Sequence, residues 1–329
     1  MEFQAYRIFE RENGEVENKI VTRDTSELRA GEVLIKVAYA ALNFKDGLSS
    51  SGHKGITREF PHTPGVDASG IVAESSDVRF EAGQEVLVTG YDLGMNTDGG
   101  FGQYIRVPAA WVVPLPKGLD LREAMILGTA GFTAALALWK MEKAGQSPEM
   151  GEIVVTGASG GVGSMAIAIL AKAGYQVVAS SGKQEEEAYL KSLGAIRRED
   201  RAYTNDESSR PLLSKKWAGA IDTVGGNTLA TLMKACGKNG SIAVCGLVAS
   251  HKLETTVYPF LLNGVNLIGV ESAETSMDVR LQLWDKLQDV WKPSQLEQIA
   301  HDISLAELND HILKILKGKT RGRIIVKHD

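Results

Sequence analysis

The segment from Ile153 to Gly163 constrains the fold of this chain more than any other stretch. Residues 153–156 are apolar or β-branched, which predicts a buried strand. A run of glycines follows at once, and small and apolar residues then repeat at helical spacing from Val162 to Ala173. A second apolar strand begins at Gln176, roughly twenty residues after the first strand ends, which suits one βαβ crossover. The segment therefore predicts a strand, a tight turn and a helix inside a βαβ unit.

The glycines of this turn predict a dinucleotide site. Gly160, Gly161 and Gly163 lack a Cβ, so the backbone can approach a pyrophosphate, while the helix N-terminus offers unpaired N–H groups and the positive end of its dipole. Ser159 and Val162 complete the predicted cofactor-binding turn. The alternative is that the glycines only permit close packing of helix on strand. We favour the dinucleotide site because strand, turn and helix all fall where it needs them.

The part of the chain before Leu121 differs in character from the part after it. At 329 residues the chain is long enough for two domains. The first part holds short strands punctuated by glycine and proline, which predicts an all-β, barrel-like domain. Its strands are expected at residues 33–39, 68–73, 85–88 and 102–107.

From Leu121 onward, helices and apolar strands alternate. Helices are predicted at residues 122–127 and 132–143, just before the glycine turn. Six strands with intervening helices predict a doubly wound parallel sheet. These strands are expected at residues 153–156, 176–179, 195–197, 218–223, 241–246 and 266–270.

The last part of the chain is predicted to hold amphipathic helices and a final strand. The helices fall between residues 277 and 316, with Leu281, Leu283, Trp284 and Leu287 expected in the core. Residues 322–327 form a strand without a partner nearby in sequence, so we expect it to return to the first domain.

Composition excludes several classes of protein. A net charge of -5, with 43% hydrophobic and 23% charged residues, argues against a nucleic-acid or anionic-membrane surface. Cys236 and Cys245 lie in apolar surroundings, which favours buried, reduced thiols. The first residues lack an apolar signal region, and the longest mostly apolar run, residues 124–139, is too short to span a bilayer. We expect a cytoplasmic protein.

The order of these parts resembles the medium-chain dehydrogenase/reductase superfamily over essentially the full length. In detail it is most similar to the zinc-free quinone oxidoreductase branch of the YhdH/YhfP type, which is acrylyl-CoA reductase-like. The resemblance implies an α/β fold with a GroES-like β-barrel catalytic domain at residues 1–123 and 274–329, and a Rossmann NADP-binding domain at residues 124–273. It is carried by the glycine turn and by the motifs at residues 41–46, 64–70, 82–86, 128–134 and 322–323.

The resemblance also predicts that no metal is bound. Zinc-dependent members take ligands at three positions that here hold Asn43, Val66 and Thr129. None of these supplies a thiolate or an imidazole, the groups that zinc prefers. Without a Lewis acid, oxidation of a plain alcohol lacks the usual means of stabilising the alkoxide. Reduction of a C=C bond conjugated to a carbonyl remains feasible, because hydrogen bonds can hold the enolate oxygen.

Residues after the second strand of the βαβ unit favour NADPH over NADH. NAD-specific sites usually place a carboxylate there for the ribose 2′-hydroxyl. This chain has Ser180, Ser181 and Lys183 instead, and Arg197 and Arg198 open the next strand, so hydroxyls and cations would suit a 2′-phosphate. The alternative is that Lys183, Arg197 and Arg198 belong to a solvated surface.

Five further cofactor contacts are implied by the resemblance. Phe44 and Thr129 are expected near the nicotinamide, Leu247 and Ser272 on its carboxamide side, and Arg323 near the cleft. Phe44 and Leu247 could instead be core residues, and Arg323 a surface cation. Relatives often carry tyrosine at the position of Phe44, which can pack but cannot donate a proton.

Asn43 and Asp67 are the predicted catalytic residues. Asn43 can donate a hydrogen bond to a developing enolate without changing charge. Asp67, like Asp46, could instead hold loops by accepting backbone N–H bonds. The proton for the α-carbon would come from water.

The resulting prediction is an NADPH-dependent, zinc-independent oxidoreductase. Its acceptor would be an activated C=C bond, as in an acrylyl-CoA-like enoyl thioester or an enone, or a quinone. A different class is also open: a non-catalytic NADPH-binding redox sensor or structural protein, which would bind NADPH tightly without consuming it. By analogy with the superfamily we expect a homodimer joined at residues 266–271, because an apolar edge strand left free invites aggregation.

Overall fold

The computed structural model describes residues 1–328, and the chain forms two compact units. Unit 1 comprises Met1–Thr129, Ala273–Gln288 and Leu296 to the C-terminal end, and unit 2 comprises Ala130–Ser272 and Asp289–Gln295. The strands in chain order are β1 (Glu2–Glu10), β2 (Val16–Asp24), β3 (Val33–Leu42), β4 (Asp67–Ser75), β5 (Glu85–Thr89), β6 (Tyr104–Val107), β7 (Val113–Pro114), β8 (Ile153–Thr156), β9 (Val177–Ser180), β10 (Ala195–Glu199), β11 (Trp217–Asp222), β12 (Cys236–Val244), β13 (Asn266–Gly269), β14 (Ala300–Ile303) and β15 (Arg323–Lys327). The helices are α1 (Phe44–Ser50), α2 (Leu121–Lys143), α3 (Gly161–Lys172), α4 (Glu187–Ser192), α5 (Gly226–Lys234), α6 (Tyr258–Asn263), α7 (Met277–Gln288), α8 (Leu296–Ile299) and α9 (Leu308–Leu316).

Unit 1 is built on a seven-stranded sheet and a separate hairpin. The sheet runs β14-β15-β3-β4-β5-β7, with β6 also pairing with β3, and the hairpin is β1-β2. The long strand β3 pairs antiparallel with three others and buries seven of its ten residues, with successive residues buried at both ends, as a strand covered on both faces does. This is the predicted β domain. The hairpin, β7 and β14 were not predicted from the sequence.

Unit 2 is the predicted doubly wound sheet. Its six parallel strands run in the order β10-β9-β8-β11-β12-β13, with β8 and β11 adjacent at the centre. Numbered by their own order these are 3-2-1-4-5-6, the arrangement of dinucleotide-binding folds, and the strand order reverses between β8 and β11. The predicted fold class is confirmed.

The C-terminal strand returns to unit 1 as predicted. β15 pairs antiparallel with β3, with Ile324 opposite Leu42. In α7, Leu283, Trp284 and Leu287 are buried, but the prediction for Leu281 is wrong because this side chain is 45% exposed. It lies about 200° around the helix from Leu283, so it faces away from the core.

Helix α2 is long and apolar enough to cross a membrane by composition alone. However, 83% of its most apolar window is buried inside the protein, as is usual for a core helix. The run is not a single regular helix, because Gly128 has non-helical angles of φ 46° and ψ −154°. The two predicted helices on either side of this glycine are therefore both present.

Candidate active site

A cluster of polar side chains lies in unit 1 where β3 ends and β4 begins. Asn43 follows β3, Asp46 lies in the first turn of α1, and Asp67 is the first residue of β4. Arg323 opens β15, and Thr129 follows the break in α2. Both aspartates are completely buried, and Arg323 is only 2% exposed. Five residues from distant parts of the chain therefore share one site.

Asp67 is the anionic centre of the cluster. Its Oδ2 accepts hydrogen bonds from Asn43 Nδ2 at 2.8 Å and from Arg323 Nη2 at 3.2 Å. The backbone N–H of Thr129 donates to the same oxygen at 2.9 Å, and the Thr129 hydroxyl donates to Oδ1 at 2.6 Å. These donors use both oxygens of a group that, when ionised, can only accept.

Arg323 is the cationic centre of the cluster. Its Nε donates to the carbonyl of Ile126 at 3.1 Å, and its Nη1 donates to the carbonyl of Leu42 at 3.3 Å and to Asn43 Oδ1 at 2.9 Å. Burial lowers the pKa of the guanidinium, and Asp67 counteracts this. The predicted cofactor residue Arg323 is thus a buried member of unit 1 that joins three segments.

The hydrogen atoms of Asn43 and Thr129 are already used within unit 1. Asn43 Nδ2 carries two hydrogens, and it donates to the carbonyl of Ala41 at 3.1 Å as well as to Asp67. The only hydroxyl hydrogen of Thr129 also goes to Asp67. Donation from Asn43 to an enolate would therefore require Asn43 to give up one of these bonds, and this role stays a prediction.

Asp46 holds the corner between β3 and the loop before β4. One oxygen accepts the N–H of Asn43 at 2.7 Å, and the other accepts the N–H groups of Val66 at 2.9 Å and Gly65 at 3.2 Å. The pKa of the Asp46 carboxyl is raised from 3.8 to about 7, mainly by burial. The nearby Asp67 also raises this pKa, and the backbone donors and Arg323 lower it.

In unit 2 the glycine turn joins β8 to α3. Gly157 has φ +57°, which favours glycine, and a Cβ on Gly163 would lie 2.8 Å from the Cα of Ala158. No side chain among residues 1–328 caps the first turn of α3. Its leading N–H groups therefore remain for an anion, and the turn fits a nucleotide pyrophosphate. The other residues predicted for this turn also lie in unit 2: Ser159, Gly160, Gly161 and Val162.

Asp222 supports this turn from the neighbouring strand, and sequence reasoning missed it. It ends β11 and accepts the Thr156 hydroxyl at 2.6 Å and the N–H groups of Val224 and Gly225 at 3.2 and 2.8 Å. Burial raises the pKa of its carboxyl. The signal was available, because a carboxylate that ends the strand beside the first βα turn lies at the point where the strand order reverses.

The residues predicted to bind the 2′-phosphate near the end of β9 differ in the hydrogen bonds and ion pairs that their side chains already make. The Ser180 hydroxyl is hydrogen-bonded to Thr204 at 2.9 Å, and the Ser181 hydroxyl accepts the N–H of Lys183 at 3.2 Å. Arg197 is held elsewhere, by Glu152 before β8 and by Glu199 at 2.9 Å.

Two other arginines contact the residues that end and follow β9. Arg198 donates to the carbonyl of Ser181 at 2.9 Å. Arg201, which the sequence did not single out, lies beside Gly182, where a Cβ would come within 2.7 Å of its Nε. Only the folded chain brings Arg201 to this position.

The remaining predicted cofactor residues are divided between the two units. Phe44 opens α1 in unit 1 and is 39% exposed, and Leu247 follows β12 in unit 2 and is 62% exposed. Neither is a core residue. Ser272 accepts a hydrogen bond from Thr133 at 2.8 Å within unit 2. Five predicted site residues belong to unit 1, namely Asn43, Phe44, Asp67, Thr129 and Arg323. The other predicted site residues belong to unit 2.

The donor set in unit 1 does not fit a zinc ion. Val66 is a buried apolar side chain, and Asn43 and Thr129 offer an amide and a hydroxyl that are engaged with Asp67. Among residues 1–328 no group of three or more His, Cys, Asp or Glu could hold a metal ion. Zinc sites in proteins need such nitrogen, sulfur or carboxylate ligands.

Known proteins are similar to this chain in sequence and in fold. The chain matches the alcohol dehydrogenase GroES-like domain over residues 29–117 and the zinc-binding dehydrogenase family over residues 161–288. It is 45% identical over 326 residues to the putative quinone oxidoreductase YhfP of Bacillus subtilis, covering 99% of this chain and 98% of that protein. It is 46% identical over 322 residues to the probable acrylyl-CoA reductase AcuI of Escherichia coli, covering 97% and 98%. The chain belongs to the medium-chain dehydrogenase/reductase superfamily.

Solved structures of this superfamily agree with the assignment. Escherichia coli YhdH with bound NADPH has a TM-score of 0.95 at 46% identity and covers 99% of this chain and 100% of that one. Bacillus subtilis YhfP with bound NAD has a TM-score of 0.97 at 44% identity and covers both chains completely. The prediction of an oxidoreductase in the YhdH/YhfP branch, a family that binds a nicotinamide cofactor, is confirmed.

We expect Asp46 to make stability depend on pH. The pKa of Asp46 is higher in the folded protein, about 7, than its ordinary value of 3.8, so the folded state binds more protons between these values. Stability from this group is present below pH 3.8 and is lost as pH rises to about 7. Each pH unit in that window is worth at most about 1.4 kcal/mol.

Asp46→Asn removes the titration, and denaturant unfolding from pH 4 to 8 measures the result. The variant should be destabilised more at pH 5 than at pH 8, because wild type loses stability over that interval and the variant does not. A difference in unfolding free energy that stays constant, or grows toward pH 8, contradicts this assignment. Asp302→Asn at the surface of unit 1 is the control.

Proposed function

We propose that this chain is an NADPH-dependent, zinc-independent oxidoreductase that reduces an activated C=C bond, with an acrylyl-CoA-like enoyl thioester as acceptor. The observation that carries the proposal is the polar cluster of unit 1. The three positions that hold ligands in zinc-dependent relatives are Asn43, Val66 and Thr129 here, and Asn43 and Thr129 donate hydrogen bonds to Asp67, which is paired with Arg323. This arrangement supports a chemistry that relies on hydrogen bonds. The relative AcuI, named a probable acrylyl-CoA reductase, supports the choice of acceptor.

In this proposal each unit has one task. Unit 1 is the GroES-like catalytic domain, and unit 2 is the Rossmann domain that holds NADPH. When bound, the cofactor would supply a hydride to the β-carbon of the acceptor, and water would supply the proton to the α-carbon. Ser159 to Gly163 of the turn bind the pyrophosphate, Phe44 packs beside the nicotinamide, and Asn43 orients the acceptor oxygen.

A CoA thioester also needs cations for its phosphates, and Lys45 is the best candidate. Lys54 is already paired with Glu10 at 2.6 Å and lies over the ring of Phe60. Lys45 follows Phe44 on α1, is partly buried, and has no carboxylate partner within residues 1–328. A quinone would need no such cation, yet the relative YhfP is named a putative quinone oxidoreductase, so a quinone is the second candidate.

The acceptor is tested by following NADPH absorbance with acrylyl-CoA, a simple enone and a benzoquinone. We expect acrylyl-CoA to give a kcat/KM at least about tenfold above the others, and Lys45→Gln to raise KM for acrylyl-CoA but not for the quinone. A chelator should change none of the three rates of NADPH oxidation. Tight NADPH binding with no turnover of any acceptor would favour the redox sensor instead, and stoichiometric zinc in active protein would contradict the proposal.

The preference for NADPH over NADH is assigned to Ser181, Lys183 and Arg201 at the end of β9. We expect Lys183→Gln and Arg201→Gln each to raise KM for NADPH several-fold and to leave KM for NADH within about twofold, since a cation on a phosphate is lost. Arg197→Gln distinguishes the sequence prediction from the structure. If Arg197 only binds Glu152 and Glu199, this variant keeps the wild-type preference for NADPH. A rise in KM for NADPH but not for NADH would show instead that Arg197 binds the 2′-phosphate.

We further propose a cytoplasmic homodimer, joined through unit 2. β13 is the last strand of its sheet, and the nearby α6 exposes apolar side chains, with Leu261 at 76% and Leu262 at 58% exposure. A second copy would pair with β13 and cover this helix. Light scattering at micromolar concentration should give twice the chain mass, and Leu261→Lys with Leu262→Lys should give a monomer. A monomeric wild type would contradict the dimer.

A further inference from the structure

A cavity of about 370 Å³ lies within unit 2, at the amino ends of the central strands of the parallel sheet. The residues that line it precede or begin β8, β11 and β12. The glycine turn follows β8, so it lies at the carboxyl ends of the strands, on the opposite edge of the same sheet. The cavity has the volume of a small-molecule site. Its larger side chains are those of Met150, Glu152, Lys215, Lys216, Trp217 and Lys238.

The backbone around the cavity is held by hydrogen bonds. The N–H of Lys216 donates to the carbonyl of Ala235 at 2.9 Å, and the N–H of Ala218 donates to the carbonyl of Glu152 at 2.8 Å. These two bonds join the start of β11 to the residues that come just before β12 and β8. Between them, Trp217 lines the cavity and is only 3% exposed. A ligand would therefore meet a frame that is already in place, which lowers the cost of ordering it on binding.

A bulge in β12 brings Lys238 to the cavity. Along β11 the pairing moves from Trp217 to Gly219, while along β12 it moves from Cys236 to Ser241. The additional residues of β12, which include Lys238, have no partners in this register. Bulges redirect side chains and occur often beside functional sites. The position of this lysine is thus a result of the fold that the apolar pattern of the strand does not show.

The cavity has an excess of positive charge, although the net charge of the whole chain is -5. Lys215 and Lys238 are exposed, and neither forms an ion pair with a carboxylate within residues 1–328. The carboxylate that lines the cavity belongs to Glu152, and Arg197 compensates its charge, with Nη2 donating to Oε2 at 2.7 Å. Two ammonium groups are therefore left to attract an anion.

We propose that this cavity is a second anion site, separate from the glycine turn, where Lys215 and Lys238 bind a small molecule that carries two phosphate groups. A lysine ammonium binds phosphate as a point charge, and two of them at one cavity suit a ligand with more than one phosphate. Lys216 is directed elsewhere, because its Nζ lies 4.7 Å from the centre of the Tyr203 ring. This site depends neither on the cofactor nor on the acceptor.

Inorganic pyrophosphate is the test ligand. The full chain is first saturated with NADPH, which fills the glycine turn, and is then titrated with pyrophosphate in a calorimeter at low and at physiological ionic strength. We expect one pyrophosphate per chain and a Kd that rises with salt, because the contacts are ionic. No binding, or binding that disappears when NADPH is present, would overturn the proposal, since the anion would then have no site apart from the glycine turn.

Variants of the two lysines locate the bound anion. We expect Lys215→Gln and Lys238→Gln each to raise Kd for pyrophosphate about threefold or more, and the double variant to raise it about tenfold or more. Lys215→Arg keeps the positive charge and should stay within about twofold of wild type. Tm without ligand should not change, because both side chains are exposed. A double variant with the wild-type Kd would overturn the proposal. This comparison decides the question even if the chain does not bind NADPH, which would count against the proposed function alone.

A matched control is available on the opposite edge of the sheet. Lys252 is an exposed lysine of unit 2 that follows β12, and it also forms no ion pair with a carboxylate within residues 1–328. Lys252→Gln removes the same charge from the chain and should leave Kd for pyrophosphate within about twofold of wild type. If this control weakens binding as much as Lys215→Gln does, the anion responds only to overall charge, and the cavity is not a site.

Discussion

The ion pair between Asp67 and Arg323 is the contact on which the arrangement of unit 1 depends. Burying two charges costs several kcal/mol for each ion, and their attraction repays this only when nearly every donor and acceptor is used. That condition is met here, because Arg323 donates to four acceptors and Asp67 accepts from four donors. The pair joins the ends of β3, β4 and β15 to the break in α2, so these segments have one arrangement in which both charges are satisfied.

The strands of unit 2 could be predicted from the sequence because parallel strands are covered on both faces. They read as short apolar runs, and their boundaries in the structure differ from the predicted ones by a few residues in most cases. The hairpin β1-β2 could not be found in this way. β2 carries the polar run Val16–Asp24 in a two-stranded sheet and buries only one residue, Arg23, so its sequence has little of the apolar signal that identifies a strand.

The members of the unit 1 site could be predicted one at a time, but their connection could not. Asn43, Asp67, Thr129 and Arg323 stand in separate motifs of the sequence, and only the fold shows that they share hydrogen bonds across separations of up to 280 residues. The sequence likewise does not show to which face of a sheet a given side chain of a strand points. Arg197 and the residue after it are neighbours in β10 whose side chains point to opposite faces, and Arg197 meets Glu152 instead of the strand end.

Asp46 gives this site a charge that can change near neutral pH. With both aspartates ionised, the cluster holds two negative charges and the one positive charge of Arg323, and burial penalises the excess. Asp46 accepts three backbone N–H bonds, whereas Asp67 is bound directly by the guanidinium. A proton on Asp46 would therefore balance the charge and weaken the carboxyl as an acceptor of those backbone bonds. Because one of them comes from the N–H of Asn43, protonation of a buried carboxyl is coupled to the residue that we propose orients the acceptor.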